Sequence, residues 1–386
     1  MSAQPTSSEE GLPVRRGRRR VARSAARVAV ALALLTAACG GATVQAAAPV
    51  LAPAKPEAVD KLAQGVAAAK DPKDQARAVE LFEQAVKTDP ALWEARYNLG
   101  LILAQRGELA RAEQELAKAA ELAPNAEDVL VALAEVKRRR GDATGAAEVL
   151  TRFVGAHPKA ISARVSLVSA LRESGKIEQA ITEAREVLVR KPNDPEALAE
   201  LALTHLARGE LDTAELLSEE SLKGERKSAV AERTAGLIAL ARGDDARAFQ
   251  HFAAASELDP ADTTARLNVG TVLLQAGVYD KAESEFRGVL AARPTDTLAS
   301  LGLAAALRGQ GTREKREPWL EAEKILTGVL EREPKNLAAT FNLALLYVDY
   351  LQRPADAKPL LQRYLDDAPT RDASRELAEK KLAGIK

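Results

Sequence analysis

Histidine and cysteine are the side chains that most readily titrate, attack and bind metals near neutral pH. This chain holds three histidines and one cysteine. His157, His205 and His251 stand 48 and 46 residues apart, so no two share a helical turn as ligands of one metal would. No H-E-x-x-H, cysteine pair, G-x-x-x-x-G-K phosphate loop or G-x-S-x-G occurs. Nothing supplies a nucleophile beside a base, a metal set or a cofactor cradle. The chain reads as non-catalytic, with no metal and no cofactor, and its one reactive side chain is Cys39.

Cys39 ends a distinctive segment. Residues 15–27 carry seven arginines, and residues 28–38 read VAVALALLTAA. That run is well short of the roughly 20 apolar residues that a spanning helix needs. A cationic stretch, a short apolar run and small residues before a cut site make a secretory signal. Leu35-Thr36-Ala37-Ala38-Cys39 resembles the lipobox of bacterial lipoproteins, departing from it by Thr36 where that family prefers Leu. The resemblance implies a signal peptide over residues 1–38 and acyl chains on Cys39. With Gly40 rather than Asp next, it implies an outer-membrane anchor with a periplasm-facing body. Several acyl chains hold a membrane stably where one does not. Residues 39–58 are then the lipidated Cys and a flexible tether, too rich in Ala and Pro to bury a core.

Charge narrows the partners. Basic and acidic residues number 55 each, but residues 1–38 hold seven arginines against only Glu9 and Glu10. The remaining body is mildly acidic, a poor match for a phosphate backbone, so no nucleic acid is expected.

Most of the chain repeats. Gly107, Gly141, Gly175, Gly209, Gly243, Gly277 and Gly311 each follow the last by 34 residues. Ala78, Ala112, Ala146, Ala180, Ala214, Ala248 and Ala282 keep the same step, as do Pro90, Pro124, Pro158 and Pro192, then Pro260 and Pro294. A unit of this length with one central Gly predicts two helices and a tight turn, with Gly left-handed at the end of the first helix. A small column (Gly100, Ala134, Gly236, Gly270, Ala304, Ala344) lets the two helices approach, and the Ala78 column lets units stack. Proline ends the second helix and opens the next unit.

Residues 93–126, with Tyr97-Asn98-Leu99-Gly100, Gly107, Ala112, Leu116, Ala119 and Pro124, resemble a tetratricopeptide repeat. The resemblance covers about residues 59–371 and implies an all-α, right-handed α-solenoid. It has about nine helix-turn-helix units, beginning near 59, 93, 127, 161, 195, 229, 263, 297 and 337. Residues 372–386 are expected to form a capping helix with Ala373, Leu377, Leu382 and Ile385 toward one face. Unit five departs from the pattern at Ser218, Ser221 and Arg226, unit eight has six extra residues around TREKREP, and unit nine replaces the turn Gly by Gln352-Arg353-Pro354.

In that family the first helix of each unit lines a groove. The resemblance places Glu94, Tyr97, Asn98, Gln105, Asp128, Glu135, Arg138, Arg139, Arg172 and Glu173 inward in the first half. In the second half it places Leu203, Leu206, Val230, Leu237, Leu240, Leu267, Asn268, Leu274, Leu298, Leu301, Phe341, Asn342, Leu345 and Val348. So much leucine on one face suits a bound peptide or amphipathic helix. Asn98, Asn268 and Asn342 share the column where the family's Asn can bond a bound backbone. The clamp of paired lysines that grips a chain end is not matched. Arg313, Lys315, Arg316 and Trp319 form a second possible contact, in the unit-eight insertion.

The expected function is a protein-interaction scaffold: an outer-membrane lipoprotein organising a motility, pilus or secretion machine, with no small-molecule substrate. The combination is similar in architecture to repeat lipoproteins of pilus-assembly and gliding-motility complexes. The alternatives are a periplasmic chaperone-like holder of envelope proteins in transit and an accessory subunit of an envelope-biogenesis enzyme.

Overall fold

A computed structural model describes residues 53–71, 74–224, 227–260 and 262–385. The signal-like segment, Cys39 and Arg226 lie outside the described residues. The described part has nineteen helices and no strand. Units one to three pair α1 (Pro56–Ala68) with α2 (Gln75–Thr88), α3 (Trp93–Gln105) with α4 (Leu109–Leu122), and α5 (Glu127–Arg139) with α6 (Ala143–Ala156). Units four to six pair α7 (Ile161–Glu173) with α8 (Ile177–Arg190), α9 (Pro195–Ala207) with α10 (Leu211–Leu222), and α11 (Ala229–Arg242) with α12 (Asp245–Leu258). Units seven to nine pair α13 (Thr263–Gln275) with α14 (Tyr279–Ala292), α15 (Thr297–Gln310) with α16 (Glu317–Arg332), and α17 (Leu337–Leu345) with α18 (Pro354–Asp367). A last helix, α19 (Arg375–Ala383), closes the stack. α1 opens at Pro56, inside the stretch expected as tether, because proline presets the first helical turn.

Each column has its physical counterpart. The glycines from Gly107 to Gly277 sit at φ between 73° and 86°. The residue after each donates its N–H back across the turn, as Glu108 does to the Leu103 carbonyl at 2.9 Å and Asp142 to that of Lys137 at 2.9 Å, capping the first helix. The alanines from Ala78 to Ala282 are fully buried, where the units stack.

The small column works by size complement. A methyl placed on Gly100 would lie 2.6 Å from the Leu116 side chain, and one on Gly236 would lie 2.5 Å from the Phe252 ring. Where the first helix offers Ala134, the second offers Leu150, and where it offers Val168, the second offers Ala184. Unit five breaks the rule: Ala202 and Ser218 are both small, and Ser218 is buried with its hydroxyl unpartnered.

Three details differ from expectation. Gly311 is extended (φ −67°, ψ 147°), not left-handed, because the six-residue insertion removes the tight turn. It is required there for a different reason: a side chain would collide with the Trp319 indole. In unit nine α17 continues as a π-turn over Leu346–Tyr350, with Leu351 N–H donating to the Leu346 carbonyl at 2.9 Å. A π-turn adds one residue, so the left-handed corner falls one place late, on Gln352 at φ 56°. The third difference is at the C-terminal segment, where α19 buries Ala378 and packs Leu382 inward, with Ile385 just beyond it, while Leu377 and the preceding Ala373 are exposed. The phase is set by Arg375, whose guanidinium donates to the Leu365 and Ala368 carbonyls at 2.8 and 3.1 Å, and by an ion pair between Lys381 and Asp349.

Candidate functional site

Three rows run along the first helices, each recurring at the repeat period. Tyr97, Leu267, Leu301 and Phe341 occupy one. Leu203, Leu237 and Leu345 occupy the second, and Leu206, Leu240, Leu274 and Val348 the third. Within a helix these rows fall four, three and seven residues apart, which places them on one face. All of these side chains are half-buried, unlike the fully buried Leu99 or Leu303 of the neighbouring core columns. They lean on the core with one flank: Leu237, Leu240, Leu267, Leu274 and Leu301 pack against the cluster around Phe252 and Phe286. Leu298, at the start of α15, is 65% exposed, and Val230 is half-buried. Phe341 is half-buried like the others, and its ring lies 4.9 Å from that of Tyr364 within the cluster that α19 closes.

The same face in units three to five is ionic. Arg138 grips Glu173 with two bonds at 2.6 and 2.8 Å and reaches Glu135 at 2.6 Å, and Arg172 stands 3.4 Å from Glu173 and 3.3 Å from Glu200. Burial pushes the Glu173 carboxyl up, but the Arg138 hydrogen bonds and the Arg138 and Arg172 charges together hold it below its usual range. Gln105, Asp128 and Arg139 are exposed and Glu94 is half-buried. Of the basic run ending α5, Arg140 pairs with Glu113, whose carboxyl is also 3.0 Å from Lys137.

The histidines serve structure. His205 is buried with Nδ1 2.6 Å from Glu210, His251 pairs with Glu232 at 2.8 Å, and His157 meets the Asn125 side chain at 3.2 Å. Among the described residues no group of three or more His, Cys, Asp or Glu could hold a metal, and no helix is long and apolar enough to cross a membrane.

The asparagine column is partly engaged. Asn98 and Asn342 donate Nδ2 to the carbonyls one turn back, Glu94 at 2.7 Å and Ala338 at 2.9 Å, and Asn268 is half-buried. The unit-eight insertion is corrected at its aromatic. Trp319 is buried, donates its indole N–H to the Arg308 carbonyl at 3.1 Å and meets Tyr350 edge-on at 5.4 Å, so it fills the core rather than facing a partner. Arg316 ties the loop to unit nine through the Leu351 carbonyl at 3.1 Å, while the side chains of Arg313 and Lys315 stay exposed. One residue escaped the sequence reading. Arg308 stands 34 residues after Leu274, in the middle of the third leucine row, and that spacing was the signal that could have found it.

Models of the tetratricopeptide repeat match residues 74–127, 165–229 and 239–307. No curated protein matches the chain. A chain of the crystal structure of the APC/C hetero-tetramer Cut9-Hcn1 is 16% identical with a TM-score of 0.56, over 81% of this chain and 59% of that one. YrrB, described as a TPR protein with an unusual peptide-binding site, is 19% identical with a TM-score of 0.37, over 50% of this chain and 96% of its own. PilW, described as a widely conserved type IV pilus biogenesis factor, is 19% identical with a TM-score of 0.44, over 57% of this chain and 100% of its own. At 16% identity the likeness to the Cut9-Hcn1 chain is one of fold alone.

Proposed function

We propose, for a chain that is built of tetratricopeptide repeats, a non-catalytic scaffold role in which the leucine face of units five to nine holds a segment of another protein. The observation that carries the reading is the change of character along one face: paired charges in units three to five, then three rows of half-buried leucine. Charges already paired to one another offer little to a partner. Half-exposed leucines gain by further burial, at about 25 cal/mol for each Å² covered. The body would be held to the outer membrane by acyl chains on Cys39 and would organise an envelope assembly there. The alternative of a transient holder of chains in passage shares the same face, and a lasting one-to-one complex distinguishes the scaffold from it.

Two variants test this. Leu203→Asp with Leu237→Asp and Leu267→Asp places charge on the face while sparing Phe341, which supports Tyr364. The expected result is an unchanged helical spectrum and loss of the partner recovered after crosslinking, because binding would bury unpaired carboxylates. A folded variant that keeps its partner rejects the face as the site. Cys39→Ser should release the protein from membranes and abolish acyl labelling. Membrane retention with no label on the unaltered protein rejects the anchor.

A further inference from the structure

The leucine face contains one charged residue, Arg308, that no carboxylate among the described residues neutralises. The third row of first-helix positions reads Arg138, Arg172, Leu206, Leu240, Leu274, Arg308 and, past the insertion, Val348. Arg138 and Arg172 are held by Glu135, Glu173 and Glu200. Elsewhere on the first helices of units five to nine, Arg208 pairs with Glu178 and Glu210, Arg233 with Asp262, Arg242 with Asp212 and Glu215, and Arg266 with Glu285. Arg308 has no carboxylate partner among the described residues. The acid nearest in sequence on the next first helix, Asp349, is taken by Lys381 of α19.

Arg308 is nonetheless held in place. Its Nη1 donates to Asn342 Oδ1 at 3.1 Å, and Asn342 is oriented by its own Nδ2 bond to the Ala338 carbonyl at 2.9 Å. The guanidinium carbon lies 5.9 Å from the centre of the Tyr350 ring, and that ring rests on Trp319. Trp319 in turn is anchored by its bond to the Arg308 carbonyl. Arg308 is half-buried, and its guanidinium is held by a neutral amide and an aromatic ring, with several of its N–H donors unused. A partly desolvated cation is costly without an anion, and a fixed planar guanidinium matches a carboxylate in two parallel bonds.

We infer that Arg308 is a specificity point of the leucine face, selecting a peptide segment that sets a carboxylate among apolar side chains. The apolar side chains lie over Leu240, Leu274 and Leu345, and the carboxylate reaches Arg308. This rests on the reading of that face as the binding face. The carboxylate comes from an Asp or Glu side chain or from a chain end, and the chemistry at Arg308 is the same for both.

The test is selection from a random peptide display library by the full chain, run in parallel with free and amidated C-termini. The expected pool combines apolar residues with one acid at a fixed spacing. Representative peptides made synthetically should bind Arg308→Gln about tenfold to a hundredfold more weakly, the scale of a hydrogen bond to a charged group. Arg308→Glu should turn the selection toward Lys and Arg. Thermal unfolding of both variants, which keep the helix, verifies that the fold is intact. A requirement for the free C-terminus identifies a chain end, and indifference to it identifies a side chain. An apolar pool without acid enrichment, or enrichment that survives Arg308→Gln, overturns the inference and leaves the leucine face standing. A library that yields no binder overturns both.

Discussion

At the scale of single residues the fold is a matter of matched sizes. Each unit must fill the space between its two helices, and apart from unit five the pairs described above do so with Gly against Phe or Leu, Ala against Leu, or Val against Ala. Gly236→Ala would place a methyl 2.5 Å from the Phe252 ring, so it should destabilise the chain by about 1–3 kcal/mol, the usual cost of overpacking. Adding Phe252→Leu recreates the Ala134 and Leu150 pair of unit three. The double variant should therefore recover part of the loss, a positive coupling that a double-mutant cycle in chemical denaturation reads directly. Two independent costs that merely add would count against size matching. Ser218 shows the opposite fault. Its buried hydroxyl has no partner, so Ser218→Ala removes an unsatisfied group and should stabilise by about 1 kcal/mol.

At the scale of elements, turns and junctions decide where the stack is weak. Gln352 takes a left-handed conformation at φ 56° that glycine adopts freely, so Gln352→Gly should raise stability by about 0.5–1 kcal/mol despite glycine's greater unfolded freedom. Unit five pairs two small residues where other units pair a large one with a small one. Amide exchange over residues 215–224 should therefore be faster than over α4 or α14. Equal protection would show that neighbouring helices close the gap. The ionic face brings a pH dependence. The folded Glu173 carboxyl is held below its ordinary value, so its stabilising contribution is complete above the unfolded value and is lost as pH falls through the folded one. Glu173→Gln should flatten that part of the acid unfolding curve and lower stability at neutral pH, where the contribution is complete. The pairs, turns and boundaries of these elements were legible because Gly, Ala and Pro act locally and recur at one step. The late corner at Gln352 was not, since a π-turn leaves no mark in residue types. The facing of α19 was missed because Leu377 and Leu382 both suit a helix face, and only Arg375 and Lys381 fix which one turns inward.

At the scale of the whole molecule, one face carries two kinds of surface and an isolated cation. The rows themselves could be read from the sequence, because period and helix geometry place Leu203, Leu240 and Leu274 together without coordinates. What could not be read is which polar groups are satisfied. Arg138, Arg172 and Arg308 share one column, and only the positions of Glu135, Glu173, Glu200 and Asn342 separate the paired from the unpaired. Trp319 likewise looked available beside a basic loop and proved to be core, because the chain after Gly311 folds its indole back onto α15. In the proposed role, partners are held on the leucine face of units five to nine. Site-specific photocrosslinking in cells tests it most directly, with the reactive side chain placed in turn at Leu203, Leu240, Leu274 and Leu345 and, as outward controls, at Val189, Leu216 and Lys324. All four face positions are expected to yield adducts with the same protein, and the controls none. Adducts from Val189, Leu216 or Lys324 with none from the four leucines would contradict it.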